Sequence, residues 1–433
     1  MGLHKITAGS GYDYLTRQVA AQDSTEKGHT GLASYYSERG ETPGVWLGSG
    51  LAGIDGLDAG DVVTAEQMQA LFGSGHHPLA GPRGAALPLD ASIAQIHDAT
   101  RLGQPFKVYA HDIPEFRIAV AAACAAYNRN RDVPEGRSVP SGVRAAIRTR
   151  IGRAMFRAEN GRDPLDAHEL AGHIAKLSRP QTTAVAGFDL TFSPVKSVST
   201  LWALAEPDVA AKIEIAHRAA ISDALRFVET HALFSRTGTN GVRQVDVRGL
   251  VATAFTHRDT RAGDPDLHTH VAVANKVQAL DGRWLSIDGR LLYKAIVTTS
   301  EVYNTSLERH LADALGVQFA ERPSTEPGKR PIREIVGVDP ELNRRWSARR
   351  LSIEHRQGQL AAAFQADHGR PPTIIEARVL AQQATLETRA GKHAPRRLAD
   401  QRAAWRAEAE TVLGAGGIEQ MVRTALAPPR RQR

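Results

Sequence analysis

The chain has 433 residues, with 54 Lys plus Arg against 47 Asp plus Glu, a formal net charge of +7 and a single cysteine. That length supplies core for two or three domains, one cysteine excludes an internal disulfide, and no apolar run approaches the roughly eighteen residues a membrane helix needs. The first residues, MGLHKITAGSGY, lack a signal-peptide core, and Ile6 stands where a myristoylation motif requires Ser or Thr. The expectation is a soluble, cytoplasmic protein with no membrane insertion, and the arginine-borne positive excess fits a phosphate-bearing partner.

Residues 1–100 are glycine-rich and loop-prone, so short strands and one or two helices are expected there. GSGYDYLTRQVA carries Tyr12 and Tyr14, and LASYYSERG carries Tyr35 and Tyr36. Ser10 with Asp13 reads as a capping box, which puts Tyr12 and Tyr14 in the first helical turns, about 200° apart. Residues 101–180 turn alanine- and arginine-rich. AAIRTRIGRAMFRAENG ends on a glycine and DPLDAHELAGHIAKL starts from Asp-Pro, the signature of a helical block. Cys124, in AVAAACAAY, reads as a buried structural thiol on the apolar side of a helix. Arg144, Arg148 and Arg157 are candidates to lie along backbone phosphates.

From Gly187 the pattern changes to FDLTFSP, a helix, and then two alternating β-branched segments, VDVRGLVATAFTH and DLHTHVAVANKVQ. The helix PDVAAKIEIAHRAAISDALRFVETHAL has a stripe of Val209, Ile213, Ala216, Ala220 and Phe227, and SEVYNTSLERHLADALG closes at Gly316. After about Glu321 the chain is charged, proline-broken and helical again. The expected fold is α+β: a central antiparallel sheet, flanking helices, a helical insertion and a helical C-terminal region. The corresponding stretches are 1–100, 101–180, 181–320 and 321–433.

The strongest chemistry lies in FTHRDTRAGDPDLHTHVAVAN. His268 and His270 are two apart in a strand, so both imidazoles project from one face while Thr269 points away. His257 ends the preceding strand, and Gly263, Asp264 and Pro265 suit a reversal that lays the two strands side by side. Three neutral nitrogen donors without a fourth protein ligand leave coordination positions open, as a catalytic metal requires. The cofactor expected is one divalent metal ion, with Mg, Mn and Zn all open.

These residues resemble the relaxases of conjugative plasmids, the MobF (relaxase-helicase) branch of the HUH endonuclease superfamily. GFDLTFSPVKSVS, a long helix, and a strand pair bearing H-(x)10-H-x-H followed by asparagine supply Asp189, His257, His268, His270 and Asn275 in the family's order. The resemblance covers about 1–60 and 181–320. It implies a palm-like sheet and site-specific, strand-specific nicking of DNA at an origin of transfer. A tyrosine would join the 5′ end of the cut strand as a phosphotyrosine, and the strands would be rejoined after transfer. It implies that Asp189 orients a histidine or acts as a base, and that Lys196 contacts phosphate. The nucleophile stays open among Tyr12, Tyr14, Tyr35 and Tyr36, with Tyr14 preferred because Leu15 marks the buried side. This chain has Pro-Val-Lys where the family more often shows Ala-Pro-Lys, and its first tyrosine cluster is YDY.

The implied partner is single-stranded DNA, with relaxosome accessory proteins, a coupling protein and a helicase domain in the same polypeptide as further family partners. No G-x-x-x-x-G-K-[ST] phosphate loop occurs in this chain. Trp46, Trp284 and Trp346 are candidate stacking platforms for bases. Two alternatives stand beside nicking for transfer. One is a rolling-circle replication initiator using the same chemistry; the other is a non-catalytic DNA-binding protein with a structural metal site.

Overall fold

The structure, a computed structural model, describes residues 1–15, 43–108, 115–135, 137–178, 183–322, 331–388 and 396–427. Met1–Phe106 and Val185–Arg433 form one compact unit, and Lys107–Ala184 a second. The four sequence stretches thus fold as two units, with 1–100, 181–320 and 321–433 sharing the larger one.

The smaller unit is three helices, α1 (Glu115–Arg129), α2 (Ser141–Asn160) and α3 (Ala167–Ser178). They meet over Phe116, Val120 and Ile147, with Cys124 and Met155 packed partly buried against that core. Gly161 ends α2 in the left-handed conformation, φ 67°, that a glycine adopts at least cost.

In the larger unit five strands pair antiparallel in the order β1-β3-β5-β4-β2. They are β1 (Gly2–Thr7), β2 (Val45–Leu47), β3 (Val185–Phe192), β4 (Ala252–Asp259) and β5 (Pro265–Ala274). Strand alternation sends Phe188, Leu190 and Phe192 of β3, with Leu267, Val271 and Val273 of β5, into one apolar layer. That layer is covered by α4 (Lys196–Leu204), α5 (Pro207–His231) and α6 (Gly289–Leu315), the last closed by Gly316. The buried stripe of α5 includes Ile213, Ala216 and Ala220 as expected, but takes Val228 in place of Phe227 and admits His217. A histidine can lie there because both ring nitrogens are satisfied, as described below.

Among the described residues, one end of the opposite face of the sheet is covered. A short helix, Ala65–Met68, runs into a π-helical turn, Gln69–Ser74, that brings Met68 to Thr253 and Phe72 against Gly187. A Cβ on Gly187 would stand 2.4 Å from the Val273 carbonyl oxygen and 2.9 Å from the Phe72 ring, so only glycine allows this approach. The other end carries the histidines.

In the C-terminal region α7 (Ala348–His368) packs against α8 (Ile374–Glu387). Beyond them, α9 (Leu398–Leu413) and α10 (Gly417–Ala425) join the main core through Trp405, Ala409, Ile418 and Met421. No described helix is long and apolar enough to cross a membrane.

Candidate metal centre

His257 on β4 lies directly opposite His268 on β5, and Phe255 opposite His270, so the pleat turns all three imidazoles to one face. Their centroids form a near-equilateral triangle with sides of 5.2, 5.3 and 5.3 Å. One nitrogen from each ring lies within 4.8 Å of the others, and all three side chains are half-buried. The hairpin closes through Gly263 at φ 87°, with the Thr260 N–H donating to the Asp264 carbonyl at 2.9 Å. Its tip is held by the C-terminal region: Trp405 Nε1 donates to the Gly263 carbonyl at 2.7 Å and Gln401 Nε2 to Asp259 Oδ2 at 2.8 Å.

Two of the histidines have a fixed tautomer. His270 Nδ1 lies 2.9 and 3.1 Å from the oxygens of Asp189 and 3.3 Å from Thr191 Oγ1, and His268 Nδ1 lies 2.8 Å from the Asp266 carbonyl. Carboxylate and carbonyl oxygens only accept, so each Nδ1 carries the proton and each Nε2 is left as a lone-pair donor. Two imidazoles with oriented Nε2 atoms, and His257 beside them, are a donor set that fits a divalent transition metal with open positions.

Tyr14 and Tyr12 have different environments. The Tyr14 hydroxyl donates to Asp189 Oδ2 at 2.6 Å, and its ring meets His270 edge-on at 6.1 Å between centroids. Asp189 is only 2 % exposed whereas Tyr14 is 38 % exposed, so the tyrosine reaches the carboxylate from the solvent side. Burial, the Asp189 charge and the hydrogen bond to it together hold the Tyr14 hydroxyl well above the ordinary tyrosine range. Tyr12 is buried and donates to Gln69 Oε1, and burial with the Asp13 charge pushes it up to about 12. The Asp13 N–H donates to the Ser10 carbonyl; Tyr12 occupies the turn and the helix begins at Asp13. Tyr35 and Tyr36 lie outside the described residues.

Several other sequence candidates take different positions. Lys196 donates to the Pro265 carbonyl at 2.9 Å and lies 3.9 Å from Asp266, so it buttresses the start of β5. Trp46 and Trp346 are fully buried, donating to Gln67 and Glu408, which removes both as stacking platforms; Trp284 is half-buried. Asn275 ties β5 to its neighbours, donating to the Val185 carbonyl and accepting from the Ile287 N–H. In the smaller unit Arg144 is exposed. Arg148 turns inward to Ser178 Oγ at 2.9 Å and over the Phe116 ring, and Arg157 is held bidentately by Asp163.

A buried chain behind the site escaped the sequence reading. Tyr303, His217, Thr269 and Thr256 connect at 2.8, 2.9 and 2.9 Å on the helix-covered face of the sheet. Thr269 stands between His268 and His270, and Thr256 precedes His257, so α5 and α6 hold both histidine-bearing strands from the rear. The residual signal was His217 on an otherwise apolar stripe.

The chain matches the TrwC relaxase family over residues 8–412. It is 31 % identical over 261 residues to the multifunctional conjugation protein TraI of Escherichia coli, covering 56 % of this chain and 14 % of TraI. The TraI of strain K12 is 30 % identical over 191 residues, 42 % of this chain and 10 % of the relative, so the chain spans a small part of these curated relatives. Among solved structures, the copper-bound conjugative relaxase TrwC in complex with oriT DNA is 22 % identical, with TM-score 0.51, covering 95 % of this chain and 98 % of its own. A metal-bound form of the same complex has the same coverage and identity and a TM-score of 0.50, and at this identity the likeness is one of fold. The family match over nearly the whole length, on the α+β fold expected, establishes that this chain belongs to the TrwC relaxase family.

Proposed function

We propose that this protein nicks one strand of DNA at a conjugative origin of transfer, with Tyr14 as nucleophile and His257, His268 and His270 as ligands of one divalent metal ion. The observation that carries the reading is the contact of the Tyr14 hydroxyl with Asp189, whose carboxylate also orients His270. On this reading the nucleophile, its proton acceptor and a metal ligand share one hydrogen-bonded group. Relatives named for conjugation, and a solved TrwC complex with oriT DNA, support the same substrate.

Tyr14 Oη attacks phosphorus, the bond to the 3′ oxygen breaks, and the phosphate stays on the tyrosine as a 5′-phosphotyrosine. The tyrosine proton passes to Asp189, and the departing 3′ oxygen takes up a proton to leave as an alcohol. Reversal of these steps rejoins a strand. A bound divalent ion would neutralise charge on the non-bridging oxygens. Asp189 accepts the tyrosine proton while fixing the His270 tautomer, and Asp266 with Lys196 fixes His268. The alternative of a purely structural metal site lacks a reason for the solvent-facing tyrosine on the Asp189 carboxylate. The cytoplasm, accessory proteins, a coupling protein and a helicase domain in a longer polypeptide belong to the same proposal.

The test is incubation with single-stranded oligonucleotides tiling the non-coding DNA beside its gene, with manganese or magnesium. Cleavage at one position is expected, abolished by EDTA with the circular dichroism spectrum unchanged. Full-rate cleavage by His268→Ala, or melting of the fold on chelation, would contradict the metal role.

A further inference from the structure

The smaller unit holds thirteen basic residues against eight acidic ones, +5, so most of the chain's net +7 lies in Lys107–Ala184. Four of these eight acidic side chains are committed to local ion pairs: Glu135 to Arg129, Asp163 to Arg157, Glu169 to Arg162 and Glu159 to Lys176. On α2, Arg150 and Arg153 are exposed and have no acidic partner among the described residues. With Arg157 they recur at i, i+3 and i+7 on one helix face, a ladder about 10 Å long at 1.5 Å per residue. Ala146, Thr149 and Ala154 lie beside them and leave a shallow trough between the guanidiniums. Arg148, two residues from Arg150, is on the other side of the helix and inside the unit.

We propose that this face of α2 is a second DNA-contacting surface, one that grips the phosphate backbone of duplex DNA without reading its sequence. Charge complementarity supports that occupant: guanidinium forks match phosphate oxygens, and a 10 Å ladder faces about three phosphates of a strand at 3.4 Å per step. Small side chains in the trough let a backbone come close. The face has no aromatic ring, so it offers unpaired bases nothing to stack on, which favours duplex over single-stranded DNA. The surface would add affinity for duplex DNA that does not depend on a bound metal ion.

The experiment compares the full chain with Arg150→Gln/Arg153→Gln and with a charge-matched control on α5, Arg218→Gln/Arg226→Gln. Fluorescence anisotropy with a labelled duplex of arbitrary sequence is recorded over a salt series. The α2 pair should weaken binding and make the slope of log Kd against log salt shallower by about two, while the control keeps the wild-type slope. Thermal melts of both variants should match the parent. An unchanged slope for the α2 pair, or an equal loss in the control, would overturn the proposal. Loss confined to a single-stranded probe would assign the face to unpaired strands and overturn it as well.

Discussion

The Tyr14 hydroxyl donates to Asp189 at 2.6 Å, joining residues 175 positions apart in sequence. Tyr12, two residues away, is buried and donates to Gln69 at the surface. Under the proposed mechanism the pair separates chemistry from packing. Tyr14→Phe should lose cleavage by at least a thousandfold in a gel assay while melting like the parent. Tyr12→Phe should keep cleavage and lower stability by about 1 kcal/mol, the usual worth of a hydrogen bond. The reverse pattern in cleavage would exclude Tyr14 as the nucleophile.

Asp189 serves two donors at once, the Tyr14 hydroxyl and Nδ1 of His270. Asp189→Asn keeps the shape and removes the charge. Manganese affinity measured by calorimetry should fall by about 10- to 100-fold, the range found when a partner of a ligating histidine is changed. Undiminished affinity would mean that His270 needs no carboxylate to bind the ion.

Thr269 accepts or donates at 2.9 Å to both His217 and Thr256, from between His268 and His270. Thr269→Val preserves volume but strands a buried imidazole nitrogen, which should cost about 1–3 kcal/mol in urea unfolding. Metal affinity should fall with it because both ligand-bearing strands lose their rear tie. Parent-like values of both would show that the chain through Tyr303 is dispensable.

Acid should destabilise the fold. Burial, with the charges of His268 and Arg218, lowers His217 to about 3, and burial with Arg83, opposed by Asp55, lowers His77 to about 4. An unfolded histidine titrates near 6.5, so below that value the unfolded chain binds protons the folded chain refuses. For these two groups stability rises with pH between about 4 and 6.5 and is level above. Melting temperatures should therefore drop as pH is lowered from about 7 to 5; a flat profile over that range would contradict this.

The grouping of the three histidines was legible because a strand has a period of two. His268 and His270 must share a face, and the reversal at Gly263 brings His257 opposite His268. Choosing between Tyr12 and Tyr14 needed Gln69, and identifying the clamp on the hairpin tip needed Gln401 and Trp405; no local pattern announces partners so distant in sequence. Trp46 and Trp346 were misplaced for a similar reason: their burial depends on Gln67 and Glu408 receiving their indole N–H groups. In the arginine helix composition was visible, but sorting Arg148 from Arg150 required the helix phase and the position of Phe116.

The most direct test of the central claim is mass spectrometry of the covalent peptide–nucleotide adduct formed on a cleaved single-stranded oligonucleotide. The 5′ phosphate is expected on the peptide containing Tyr14, with no adduct when manganese or magnesium is chelated. A 5′ phosphate on Tyr12, Tyr35 or Tyr36 instead, or cleavage that leaves no covalent link, would contradict it.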